Sequence, residues 1–178
     1  MNFYLKLAKK TVEKYVKEKK ITSPPKGIPE HILQKKAPVF ISIKKCGNFR
    51  ACIGTIEAIK ENIIEEIIYN SISAARNDYR LGPIKEEELS QLTYEVYILG
   101  KPEIVRDIKD LNPKKYGIIV RDKKFKTGVL LPDLDGIVTA EKQLAIVLEK
   151  AGIVYLGDKK DFFNDIFVYR FRAIRYKN

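Results

Sequence analysis

Residues 45–54 read KCGNFRACIG, and the way this segment turns decides the first half of the fold. It follows PVFISIKK (38–45), a β-branched and aromatic run with partial alternation that reads as a strand, and FRACIG resumes the same character after Gly47-Asn48. Gly-Asn suits a two-residue type II′ turn, because glycine takes the positive φ of its first central position at no steric cost. The segment is therefore expected to be a β-hairpin. That turn would pair Cys46 with Phe49, Lys45 with Arg50, Lys44 with Ala51 and Ile43 with Cys52. The two cysteines then fall on opposite faces, beyond the roughly 7 Å that a disulfide spans. Cys52 would share its face with Arg50 and, diagonally, Lys45. Two cations there favour the nucleophilic thiolate, whereas a small buried side chain packing a strand accounts for the residue equally well.

Working outward, Asn2–Lys20 shows roughly helical spacing of Phe3, Leu7, Val12, Tyr15 and Val16 with lysines between them. TSPPKGIPE (22–30) is a loop that helix cannot enter. From Ala58 to about Arg76 the residues Ile63, Ile64, Ile67, Ile68, Ile72 and Ala75 form one helical stripe, the main core helix of this half. LTYEVYILG (92–100) reads as a strand. YGIIVRD and FKTGVLLP form a second hairpin turning at Asp122 to Lys124. Thr139 caps a helix with Leu144, Val147 and Leu148 on one face, which stops at Gly152, and IFVYRFRAIRY (166–176) reads as one long closing strand. The order hairpin, helix, strand occurs twice, so the expected fold class is α+β, built from two related sheet-and-helix units with a small lobe. Residues 1–178 are expected to form a single domain, with 1–37 as a peripheral helix and Pro-rich loop and 38–178 as the main body.

The chain of 178 residues is 45% hydrophobic and 32% charged, within the range of folded globular domains. No apolar run approaches a membrane span and the first ten residues do not resemble a secretory signal, so a soluble cytoplasmic protein is expected. The Lys, Ile and Glu bias resembles that of hyperthermophile proteins. The net charge of +11 is concentrated in residues 1–48, with 12 Lys or Arg against 3 acidic residues, while residues 49–178 hold 22 against 20. Most of that excess sits on the first helix. It reads as a solvated face in preference to a phosphate-contacting one, since no arginine-aromatic RNA signature or zinc-finger spacing accompanies it. Two cysteines and His31 lack zinc-ligand spacing, and there is no phosphate-binding glycine loop, dinucleotide fingerprint or nucleophile elbow. No metal and no cofactor are expected.

The hairpin resembles the AMMECR1 family, whose hallmark strand ends in LRGCIG where this chain has FRACIG (49–54). AARNDYRLGPI (74–84) is similar to the family's Ala-rich helix end and DPRFPPL loop. EEELSQLTYEVYIL, GVLLP (128–132) and EKAGI (149–153) follow in the family's order. Ala51 replaces the motif glycine, Tyr79 and Leu81 replace the residues flanking Arg80, and Gly82 replaces a proline. The resemblance implies an α+β fold of two related units and marks the hallmark as a functional surface. It assigns no reaction. Two expectations follow: a small-molecule or modifying enzyme whose cleft joins FRACIG to NDYRLGP, or a binding module for a Memo-like or radical-SAM protein, the partners implied by the family's AmmeMemoRadiSam members. In the first, Arg50 and Arg80 hold an anionic ligand, Asp78 orients Arg80 and Cys52 is the catalytic nucleophile. Gly54 and Pro132 complete the expected binding residues.

Overall fold

The computed structural model describes residues 2–76, 78, 80–157 and 161–177. Asn2 opens the first helix by accepting the Tyr4 N–H on its side-chain oxygen at 2.9 Å, and α1 (Phe3–Glu18) ends where Lys19 turns left-handed at φ 56°. Its lysines face water, while Leu5, Ala8, Val12 and Val16 are buried. The Pro-rich loop that follows contains one short helical turn, α2 (Glu30–Leu33), on which His31 is exposed.

β1 (Val39–Lys45) and β2 (Asn48–Gly54) form the expected hairpin, but the turn is one residue earlier than Gly-Asn chemistry suggests. Lys45 pairs with Asn48, and the central residues are Cys46 and Gly47, with φ of 49° and 82°. Positive φ at both is the type I′ geometry, whose twist matches that of the strands. Holding Cys46 left-handed costs about 1 kcal/mol, offset by its N–H to the Gln91 carbonyl at 3.2 Å. A bulge then intervenes: Ile43 pairs with Ala51 and Lys44 with Phe49, leaving Arg50 as the extra residue. Cys52 consequently faces Ser42, not Ile43. No disulfide joins the two cysteines.

The core helix, expected from Ala58, begins at Ile63 as α3 (Ile63–Arg76). Asn62 stops it earlier by accepting the Ile64 and Glu65 N–H groups at 3.0 and 3.1 Å. Buried Glu66 binds the Ile59 and Lys60 N–H groups and the Thr55 hydroxyl, folding residues 55–62 over the helix start. After a 3₁₀ segment at Glu86–Gln91, β3 (Leu92–Leu99) pairs with β1 along its length. Ile41, Ile43, Ala51, Tyr94 and Val96 then share one sheet face and pack with Ile63, Ile64 and Ile67 of α3 and with α1. Each such isoleucine, buried to 0% exposure, contributes about 1.5–3 kcal/mol.

The later residues repeat this plan. β4 (Glu103–Val105) precedes the hairpin of β5 (Gly117–Arg121) and β6 (Thr127–Leu130), whose turn is held by the Asp122 carboxylate accepting from the Lys124 and Lys126 amides. α4 (Ala140–Ala151), capped by Thr139 and closed by Gly152 at φ 62°, packs on that hairpin, and the short α5 (Phe162–Asp165) leads to β7 (Phe167–Phe171). The long closing strand is in fact two, β7 and β8 (Ala173–Lys177), which break at Arg172 and join different sheets. Arg170 and Arg172 alternate with apolar residues, but Ala173 and Ile174 follow in succession before Arg175, so the alternation slips by one residue at the break.

The strand orders are β2-β1-β3-β8 and β4-β7-β5-β6, in two compact units, Met1–Leu99 with Ile174–Asn178 and Gly100–Ala173. Each sheet holds a hairpin, and the strand after the helix pairs with the hairpin's first strand. The fourth strand of each sheet is the one that follows, in sequence, the other unit's third. This bears out the α+β reading and its duplicated hairpin-helix-strand order.

Candidate functional site

The bulge re-aims Arg50. Its Nε and Nη2 donate to Glu88 Oε1 and Oε2 at 2.8 and 2.9 Å, a bidentate pair, while Nη1 and Nη2 donate to the Gly82 and Pro83 carbonyls at 3.1 and 3.0 Å. Both side chains are under 10% exposed. Glu88 also accepts the Lys85 amide at 2.9 Å and the Lys45 ammonium at 3.2 Å. The Arg50 hydrogen bonds, outweighing burial, hold its carboxyl at about 2, and Glu88 in turn raises Arg50. Arg50 thereby fastens β2 to residues 82–88.

β2 is an edge strand, and its outward backbone groups at Cys52 are both taken. The Cys52 N–H donates to Asp78 Oδ2 at 2.9 Å, and its carbonyl accepts from Arg80 Nη2 at 3.1 Å. Asp78 and Arg80 are themselves joined, Nε to Oδ1 at 2.8 Å and Nη2 to Oδ2 at 2.6 Å. A carboxylate and a guanidinium thus stand where a neighbouring strand would be, satisfying groups that an edge otherwise leaves open. Burial pushes the Asp78 carboxyl up, but the hydrogen bonds from Arg80 and the Cys52 amide prevail and it lies below its ordinary value. The Arg80 guanidinium also stacks over the Phe49 ring, 4.4 Å from the centroid.

The Cys52 side chain lies on the sheet face opposite the isoleucine core. Across three strands the register lines up Cys52, Ser42 and Glu95 on that face, with Tyr97 one step along. Glu95 accepts from Tyr97 at 2.8 Å and Arg175 at 3.0 Å, with Lys44 at 3.4 Å. Burial raises Glu95, but Arg175, Tyr97 and Lys44 hold it below the usual carboxylate range. Burial together with Glu95 pushes the Tyr97 hydroxyl far upward, and the Cys52 thiol adds to that shift. Cys52 itself is half-buried.

At the hairpin tip an open groove of about 570 Å³ is lined by Lys45, Cys46, Asn48, Phe49, Arg50, Leu81, Pro83, Lys85, Glu87 and Glu88. Phe49 and Leu81 are 47% and 54% exposed. Arg50 is the buried tie beneath this groove.

Of the expected residues, Cys52, Asp78 and Arg80 form one bonded cluster, while Arg50, on the same strand as Cys52, is bonded separately to Glu88 and the Gly82 and Pro83 carbonyls. Gly54 follows on the same strand, where a Cβ would meet the Phe40 ring and lie 2.5 Å from the Val39 carbonyl. Pro132 belongs to the second unit, where it is buried after β6. Asn77 and Tyr79 of the NDYRLGP loop lie outside the described residues. Sequence reading missed Glu88, Ser42 and Glu95. Glu88, three residues after Lys85, carries half a capping-box signal without the Ser or Thr that would advertise it. Glu95 is the one carboxylate inside an apolar strand. No group of three potential metal ligands occurs among the described residues, and none of their helices is long and apolar enough to cross a membrane.

Two four-stranded antiparallel sheets, each fed by a hairpin, helix and strand, and a motif hairpin clamped at its edge by an Asp-Arg pair define an α+β protein with its candidate site on a sheet margin. The AMMECR1 family model matches residues 5–176, and the chain belongs to the AMMECR1 family. A Thermotoga maritima protein is 42% identical over 175 residues, covering 98% of this chain and 97% of that one. A Clostridium acetobutylicum protein is 39% identical over 175 residues, but the match spans 36% of its length. The crystal structure of the uncharacterized protein PH0010 from Pyrococcus horikoshii superposes with a TM-score of 0.88 at 29% identity, covering 99% of this chain and 90% of that one.

Proposed function

We infer that this protein is a binding module that presents the hairpin tip and residues 81–88 to a protein partner. The observation that carries the reading is the internal commitment of the motif's cations. Four Arg50 donor contacts end on Glu88 and two carbonyls, and Arg80 is spent on Asp78 and the Cys52 carbonyl. They brace a groove whose open surface is Phe49 and Leu81 between Lys45 and Lys85, a mixture of aromatic anchor and rim charge suited to a peptide segment. A match to about a third of the longer Clostridium chain supports a module that works beside another protein. The family model takes in both units, which supports treating residues 1–178 as one domain. The partner class we favour is a Memo-like or radical-SAM protein from the same genome. Titrating those purified proteins against wild type and F49S should weaken binding tenfold or more at unchanged stability, and equal affinity for both would refute the reading.

Cys52 supports a second reading, a modifying enzyme. Its backbone is fixed at both N–H and carbonyl, and its thiol shares a sheet face with Ser42 and the Glu95-Tyr97-Arg175 network. Alkylation rates of the folded protein against pH decide it. An activated nucleophile titrates well below an ordinary thiol, near 8.5; reaction only on unfolding, or with an ordinary midpoint, leaves the thiol as packing.

A further inference from the structure

In the second unit, three cations converge on one tyrosine. The guanidinium carbons of Arg170 and Arg172 lie 4.7 and 5.4 Å from the Tyr116 ring centroid, and the Lys115 ammonium lies 5.3 Å from it. Arg170 lies on β7 and Arg172 just past its end, and both guanidinium groups reach the same ring. Arg170 is compensated, its Nε donating to Glu103 at 3.0 Å and its Nη1 to the Asp110 carbonyl at 2.9 Å. Lys115 and Arg172 have no carboxylate within 4 Å among the described residues, and both are exposed. Arg172 meets only the Tyr116 hydroxyl, at 3.5 Å, and the ring. Two uncompensated positive charges are therefore held around a phenol that offers a hydrogen-bond donor between them.

We propose that Lys115, Tyr116 and Arg172, walled by the Arg170–Glu103 pair, form a binding site for the phosphoryl group of a small ligand. Two open charges match a dianion, and guanidinium, ammonium and phenol supply donors of the kinds that phosphate oxygens accept. The focus on one ring favours a single phosphoryl group over a nucleic-acid strand, which needs cations spaced along a track. The same surroundings act on Tyr116 itself: the Arg172 and Lys115 contacts outweigh desolvation and leave its hydroxyl below the ordinary tyrosine value.

Calorimetric titration of the full chain with inorganic phosphate and pyrophosphate at low salt tests the site. R172Q should weaken pyrophosphate binding at least tenfold with an unchanged circular dichroism spectrum, and exposed K115Q should do so as well if R172Q fails to fold. Affinity that is the same in wild type and both variants overturns the proposal. So does a wild type that ignores both phosphates yet loses retention of a single-stranded oligonucleotide on R172Q substitution, since that result assigns the charges to a strand.

Discussion

Replacing Glu88 with glutamine removes the charge that holds Arg50 while keeping the side chain's shape, and the structure fixes what that should cost. The folded carboxyl lies at about 2 against an ordinary 4.5, and a gap of roughly two and a half units at 1.36 kcal/mol each is about 3 kcal/mol. Breaking a buried ion pair by removing one partner gives a similar figure, about 3–5 kcal/mol, because the other charge is left buried. Since the folded value is depressed, the stabilisation is fully present above about 4.5 and is lost as the pH falls from there towards 2. The chain has two compact units, so a global unfolding curve is the wrong measure. Hydrogen exchange of the β1 and β2 amides reports the opening free energy of the hairpin directly. At pH 7 E88Q should lower that free energy by about 3 kcal/mol, and near pH 2 the difference from wild type should shrink below about 1 kcal/mol. A cost under about 0.5 kcal/mol at pH 7, or one that does not change with pH, would show that Arg50 does not depend on Glu88.

Asp78 carries the edge clamp, so D78N should expose the strand locally: faster exchange at Cys52–Gly54 and faster thiol labelling, with protection of α1 unchanged. Labelling equal to wild type would show that the clamp does not restrain Cys52. G54A places a methyl group against the Phe40 ring and the Val39 carbonyl, and backbone gives way poorly, so a loss of about 1–3 kcal/mol is expected in the opening free energy of the hairpin by hydrogen exchange of the β1 and β2 amides. Retention of wild-type stability would remove the packing reason for this glycine.

Much of the fold could be read from local pattern. The 3.6-residue stripe of Ile63, Ile64, Ile67 and Ile68 specifies α3, Thr139 and Gly152 mark the ends of α4, and the repeated order of elements anticipates the two sheets. Helix periodicity and caps are short-range, so neighbouring residues suffice to encode them. The motif and the loop after α3 carry recognisable residue types, and the structure brings Asp78 and Arg80 of that loop against the Cys52 backbone of the motif.

What those residues do to one another lay beyond the sequence. Gly47-Asn48 is a sound turn by local preference, yet pairing of β1 with β3 on its far side and burial of Arg50 against Glu88 move the turn to Cys46-Gly47 and insert the bulge. Arg50, expected at a ligand, is bonded to a carboxylate that lies 38 residues away on a 3₁₀ segment. The alternation of residues 166–176 slips by one residue at Ala173-Ile174, but that slip does not say that the two halves join different sheets. The amino-acid sequence by itself determined the elements and the chemistry they carry. Register, bulge and the choice of ionic partner were decided by tertiary structure, because each turns on the energy of contacts between residues that only the folded chain brings within reach.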